Sequence, residues 1–157
     1  MQHLSDWSST DGTILLHLSA KVIEVFTVNV QSSDRSESGG ILLGTVHEKG
    51  LMIETATQPS RMDRQFRYMF ERMPFGHSAI ARRHWRLSNG TVRYLGEWHT
   101  HPQDVPSPSG IDLSEWQKLA QVRLDKRPTL SVIVGRKTLH IEMMDRNGNR
   151  VILAPAT

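Results

Sequence analysis

GEWHTHPQDVPSPSGID, residues 96–112, places two histidines, two serines and two aspartates behind a run that reads as a buried strand. Residues 92–98 alternate and are rich in β-formers, so a strand carries the chain to this point with its side chains falling on opposite faces in turn. His99 and His101 then leave the strand end on the same side, one residue apart. Two imidazoles at that spacing reach one ion. Zinc accepts neutral imidazole nitrogen but needs a third protein ligand if one position is to stay open for water. Asp112 is the candidate. Behind a loop carrying Pro102, Pro106 and Pro108, Ser109 reads as the N-cap of a helix running to about residue 124, with Asp112 on its first turn. The loop can fold that carboxylate back towards the histidines. The same residues have plainer readings: His-Thr-His as surface or core histidines, Ser109 as a cap and nothing more, Asp104 as an exposed loop carboxylate, and Trp98 as core.

Upstream of this stretch, residues 1–12 are polar and end in Asp-Gly, which predicts a flexible or loosely packed N-terminus before a strand at 13–18. Ser19 caps a helix whose apolar positions Val22, Ile23, Phe26 and Val30 recur at helical spacing. A polar turn at 31–37 leads into a buried strand at 39–46 and a hairpin partner at 51–56 across Glu48-Lys49-Gly50. Residues 61–73 alternate at Phe66, Tyr68 and Phe70 and lean to strand; 76–87 read as a helix ended by Asn89-Gly90. Beyond the quoted stretch, Pro128 breaks the helical pattern, and strands are expected at 129–135, 139–144 and 150–153, with Asn147-Gly148 as a hairpin turn. This order predicts an α+β (α/β layered) domain in which a mixed, mostly antiparallel sheet lies between flanking helices.

The chain's totals bound its function. With 157 residues it fits one domain spanning 1–157, long enough to bury roughly two-thirds of its unfolded surface. No cysteine is present, which excludes a disulfide framework and thiolate ligands, so any zinc must be held by His and Asp. No apolar run approaches a membrane span and no basic-then-apolar leader is seen, so the cytoplasm is the expected compartment and no membrane partner is expected. The formal charge of +3 is uneven: residues 61–93 hold eight arginines against two carboxylates, Asp63 and Glu71. That segment reads either as a solvated helix face or as a docking face for an acidic partner; no nucleic-acid motif accompanies it. His77 and His84 are expected at the surface, and His3, His17, His47 and His140 have no evident partner.

The series His99, Thr100, His101, seven residues, Ser109, two residues, Asp112 resembles the JAMM motif of the JAB/MPN zinc metallopeptidases. That family also uses an upstream glutamate, matched by Glu37 in SESGGILLG, residues 36–44. The resemblance runs from about Leu18 to the C-terminal strands, and no motif position is missing. It implies the JAB/MPN, cytidine-deaminase-like fold and one Zn2+ per chain on His99, His101 and Asp112. It also implies that Glu37 is general base and then general acid, and that Ser109 donates to the developing oxyanion. An ion so held lowers the pKa of its water towards neutrality. Thr100, pointing away from the metal, is expected to orient a histidine from behind.

Among the family, the compact length, the GEWHTHP strand and the arginine-rich stretch look most like bacterial JAB domains of CBASS antiphage operons. The work implied there is to release a cGAS-like nucleotidyltransferase from the targets to which its C-terminus has been joined. A peptidase for sulfur-carrier or ubiquitin-like proteins shares the motif, and a catalytically silent scaffold is the remaining class. The expected partner is a protein with an extended C-terminal tail laid along a sheet edge, with 48–52 or 59–73 forming the groove.

Overall fold

The computed structural model describes residues 3–31, 37–57, 83, 85–123 and 126–156. Among the described residues these elements follow in chain order: β1 (Asp6–Ser8), β2 (Leu15–Leu18), α1 (Ala20–Val28), β3 (Gly39–His47), β4 (Gly50–Ala56), β5 (Arg93–Thr100), α2 (Gly110–Val122), β6 (Thr129–Val134), β7 (Leu139–Met144) and β8 (Arg150–Pro155). The expected strand at 61–73, most of the expected helix at 76–87, and His77 and His84 lie outside the described residues.

The strands close into a barrel in the order β1-β2-β4-β3-β5-β6-β7-β8, with β8 returning to β1. This corrects the expectation of a layered sheet flanked by helices. The physical reason lies in the segment expected to fray. Trp7 is buried, its indole N–H donates to Leu4 O at 2.7 Å, and its backbone pairs with Leu16 on one side and Pro155 on the other. Three residues of strand therefore join the two ends of the sheet and remove its edges. The hairpin at 48–52 offers no free sheet edge for a tail to pair with, because β4 is paired with β3 on one side and in parallel with β2, from Leu15↔Gly50 to Leu18↔Ile53, on the other.

The principal core follows strand alternation. Leu42, Ile53, Trp98, Leu130, Val132, Val134 and Ile141 share one cluster with Val22 and Phe26 from α1, and the Phe26 and Trp98 rings lie 5.3 Å apart. Ser19 caps α1 by accepting the Val22 N–H, so Val22 and Phe26 arrive one turn apart on the buried face. On the opposite face of β6, Ile133 packs under Trp116 of α2 together with Met144 and partly buried Leu113. His99 pairs with Ile133 in the parallel β5–β6 register, which sets it against α2 while its neighbour Trp98 enters the core.

Candidate metal centre

β5 runs on to Thr100, so His99 lies within the strand and not beyond its end, as had been expected. His101 continues the line: its N–H donates to Val134 O at 3.0 Å, which keeps the chain extended past the assigned strand. His99 and His101 consequently point the same way, with ring centroids 4.7 Å and Nε2 atoms 3.0 Å apart.

Asp112 is brought to them by its cap. The Ser109 side chain accepts the Asp112 N–H at 3.1 Å, and the Ser109 N–H donates to Asp112 Oδ2 at 2.9 Å, a reciprocal capping box. The carboxylate is thereby held 3.4 Å from His99 Nε2 and 3.3 Å from His101 Nε2. Ser109 uses an oxygen lone pair in this arrangement, and its hydroxyl proton remains available to donate.

Glu37 reaches the same place from β3. In the antiparallel β3–β5 pairing Gly39 stands opposite His99, and a Cβ on Gly39 would sit 2.4 Å from Trp98 O and 3.1 Å from His99 Cβ. Only glycine lets the two strands meet there. Thr100 then fastens the segment: its N–H donates to Ser38 O at 2.8 Å, and its hydroxyl accepts the Ser38 N–H at 2.9 Å while donating to Gln31 Oε1 at 3.1 Å. Thr100 thus holds the residue beside Glu37, rather than a histidine as expected. Glu37, His99 and His101 each offer a ligand atom, all within 4.8 Å of one another, and form a group able to hold a metal ion.

The electrostatics suit a cation. Burial works to raise the Asp112 pKa, but hydrogen bonds from His101 and His99 and from the Ser109 N–H outweigh it and hold the carboxyl far below the usual range. The Asp112 hydrogen bond raises His101 against its own burial. The two ring nitrogens stand 3.0 Å apart, and a buried carboxylate faces both. In a tetrahedral zinc site with bonds of about 2.0–2.1 Å, neighbouring donor atoms stand about 3.3 Å apart. The separations of 3.0, 3.3 and 3.4 Å fit that spacing.

The model for prokaryotic homologs of the JAB domain matches residues 19–147. The chain belongs to this family. It is 53% identical over 156 residues to a CD-NTase/cGAS isopeptidase of Pseudomonas aeruginosa, with 99% of each protein covered. A CD-NTase/cGAS isopeptidase of Escherichia coli is 37% identical over 71% of this chain and 70% of its own length. The solution structure of protein DSY2949 from Desulfitobacterium hafniense superposes with a TM-score of 0.57 at 14% identity, covering 90% of this chain and 89% of that one, which is a likeness of fold.

In this JAB-family chain the five expected site residues fall on one patch, in two groups joined through the histidines. Asp104 is no part of it: the carboxylate pairs with Arg136 at 2.9 Å and Lys137 at 3.5 Å. Two contributors had no local signal. Trp116 sets its ring 6.2 Å from His99 and stacks on His140, 6.4 Å away, and His140 in turn bonds Glu142 at 2.8 Å. Gln103 bonds His101 from behind at 3.1 Å.

Proposed function

We propose that the chain is a zinc-dependent isopeptidase. On this reading it hydrolyses the amide bond that joins the C-terminus of a cGAS-like nucleotidyltransferase to a target protein, reversing that conjugation in antiphage defence. The observation that carries the reading is the convergence of the His99 and His101 Nε2 atoms on the Asp112 carboxylate, with Glu37 alongside. The full-length similarity to a protein named CD-NTase/cGAS isopeptidase supports the substrate.

His99, His101 and Asp112 would hold the ion, which when bound polarises the scissile carbonyl and makes hydroxide available near neutral pH. Glu37, kept in place by the Thr100–Ser38 bonds, takes a proton from the attacking water and passes it to the leaving lysine amine as the C–N bond breaks. Water thereby adds its hydroxyl to the carbonyl carbon and its proton to nitrogen, so the nucleotidyltransferase leaves with a free carboxylate. The Ser109 hydroxyl donates to the carbonyl oxygen as negative charge builds on it.

The test is cleavage of fusions whose scissile linkage follows a nucleotidyltransferase C-terminus or a ubiquitin-like one. Wild type should cut the first, and both Glu37→Ala and a chelator should abolish the cut. Cleavage of the ubiquitin-like fusion alone would overturn the substrate assignment. Failure to cut either, with zinc bound, would overturn the isopeptidase reading.

A further inference from the structure

The second ring nitrogen of His101 decides what the first can do. His101 Nδ1 lies 3.1 Å from Gln103 Oε1, and the same oxygen accepts the backbone N–H of Ser107 at 3.2 Å. A backbone amide only donates, and its hydrogen points in a fixed direction. The Gln103 atom in front of it must therefore be the carbonyl oxygen and not the NH2 group. An acceptor oxygen facing Nδ1 places the ring proton on Nδ1. In that tautomer Nε2 is the nitrogen whose lone pair is available to an ion bound between His99, His101 and Asp112.

The geometry points to Gln103 as a positioning residue for metal binding: it holds His101 in the Nδ1–H form and aims Nε2 at the ion. Glutamine sits in a loop, where a side chain would ordinarily exchange partners with water, but this loop is clamped from outside. Gln103 O accepts the Arg136 N–H at 2.8 Å, and Asp104 O accepts the N–H groups of Lys137 at 3.0 Å and Thr138 at 3.2 Å. The Asp104 carboxylate adds its bond to Arg136 Nε at 2.9 Å. Gly135 permits the approach, since a Cβ there would sit 2.4 Å from Pro106 Cδ and 2.9 Å from Gln103 O. The turn between β6 and β7 thus fixes the backbone of the residue that orients the histidine, and partners behind a ligating histidine set both its tautomer and its basicity.

This inference rests on the metal reading, and its test separates the two. Zinc dissociation constants would be measured by competition with a chromogenic chelator for wild type, Gln103→Leu and Gln103→Glu, alongside melting of the stripped proteins. Leucine cannot accept from Nδ1, so Gln103→Leu should bind zinc about 10- to 100-fold more weakly. Gln103→Glu keeps an oxygen in place and should stay within a few-fold of wild type, and the three stripped proteins should melt together. Zinc binding by Gln103→Leu equal to wild type would overturn the inference, as would equal weakening in both variants. No zinc binding by wild type would overturn the metal reading and the inference with it.

Discussion

Thr100→Val changes one atom group at the point where Glu37 is anchored. The side chain is fully buried, and its hydroxyl accepts the Ser38 N–H at 2.9 Å and donates to Gln31 Oε1 at 3.1 Å. Valine keeps the shape and removes both bonds. Stranding the Ser38 N–H costs about 1–2 kcal/mol, and losing the donation to Gln31 costs about 1 kcal/mol more. The methyl that replaces the hydroxyl returns about 0.8 kcal/mol of apolar burial. The net loss is about 2 kcal/mol, which for a chain of this length lowers the melting temperature by about 4–8 °C. The larger effect should be on turnover, because Ser38 is the residue next to Glu37. We expect kcat to fall about 10- to 100-fold with KM nearly unchanged, the pattern of an interaction made in the transition state. Thr100→Ser retains the hydroxyl and should recover most of kcat while still melting below wild type. The assay is fusion cleavage at saturating and limiting substrate, run beside thermal unfolding. A valine variant that melts lower yet keeps wild-type kcat would show that Thr100 is core and does not place the glutamate.

Gly39→Ala should abolish cleavage while zinc binding falls much less, because its Cβ would press on Trp98 O and lift the Glu37 segment from β5; retained cleavage would refute the close approach. Glu142 is fully buried, and burial opposes its charge, but Arg150 at 2.6 and 2.7 Å and His140 at 2.8 Å lower its pKa overall. A carboxyl lowered on folding adds stability above its unfolded pKa of about 4.3, and that stability is lost as pH falls through the folded value. Glu142→Gln should therefore be less stable than wild type at pH 7 and lose less on acidification, as denaturant midpoints across the acid range would report. Zinc at about 100 times its dissociation constant should stabilise the stripped protein by about 2.7 kcal/mol, and Asp112→Asn should show a much smaller rise in melting temperature.

Much of this molecule was legible one segment at a time. β7 runs over 139–144 as expected, and the caps at Ser19 and Ser109 fall where hydroxyl residues precede helical patterns. Both signals are local. The barrel was not legible, because closure depends on Trp7 meeting Pro155 and no periodicity in residues 3–12 announces a partner at the far end of the chain. The site divides in the same way. His99, His101, Ser109 and Asp112 lie within 14 residues, so strand alternation and a helix cap suffice to bring them together. Glu37 joins them through the pairing of Gly39 with His99, a long-range register that only the motif resemblance anticipated. Thr100 shows where alternation stops being informative: it gave the correct face, but the partners on that face, Ser38 and Gln31, come from elsewhere in the chain. Gln103 is polar, exposed and set in a proline-rich loop, and its bond to His101 depends on a turn more than 30 residues away.

The most direct test of the account is to titrate zinc into chelator-stripped protein while following cleavage of the nucleotidyltransferase fusion. Activity should rise in proportion to bound zinc and level off at one ion per chain. Glu37→Gln should take up the same single ion and stay inactive. Cleavage that survives stripping, or that is indifferent to zinc occupancy, would contradict the assignment of His99, His101, Asp112 and Glu37 as a metal-dependent hydrolytic centre.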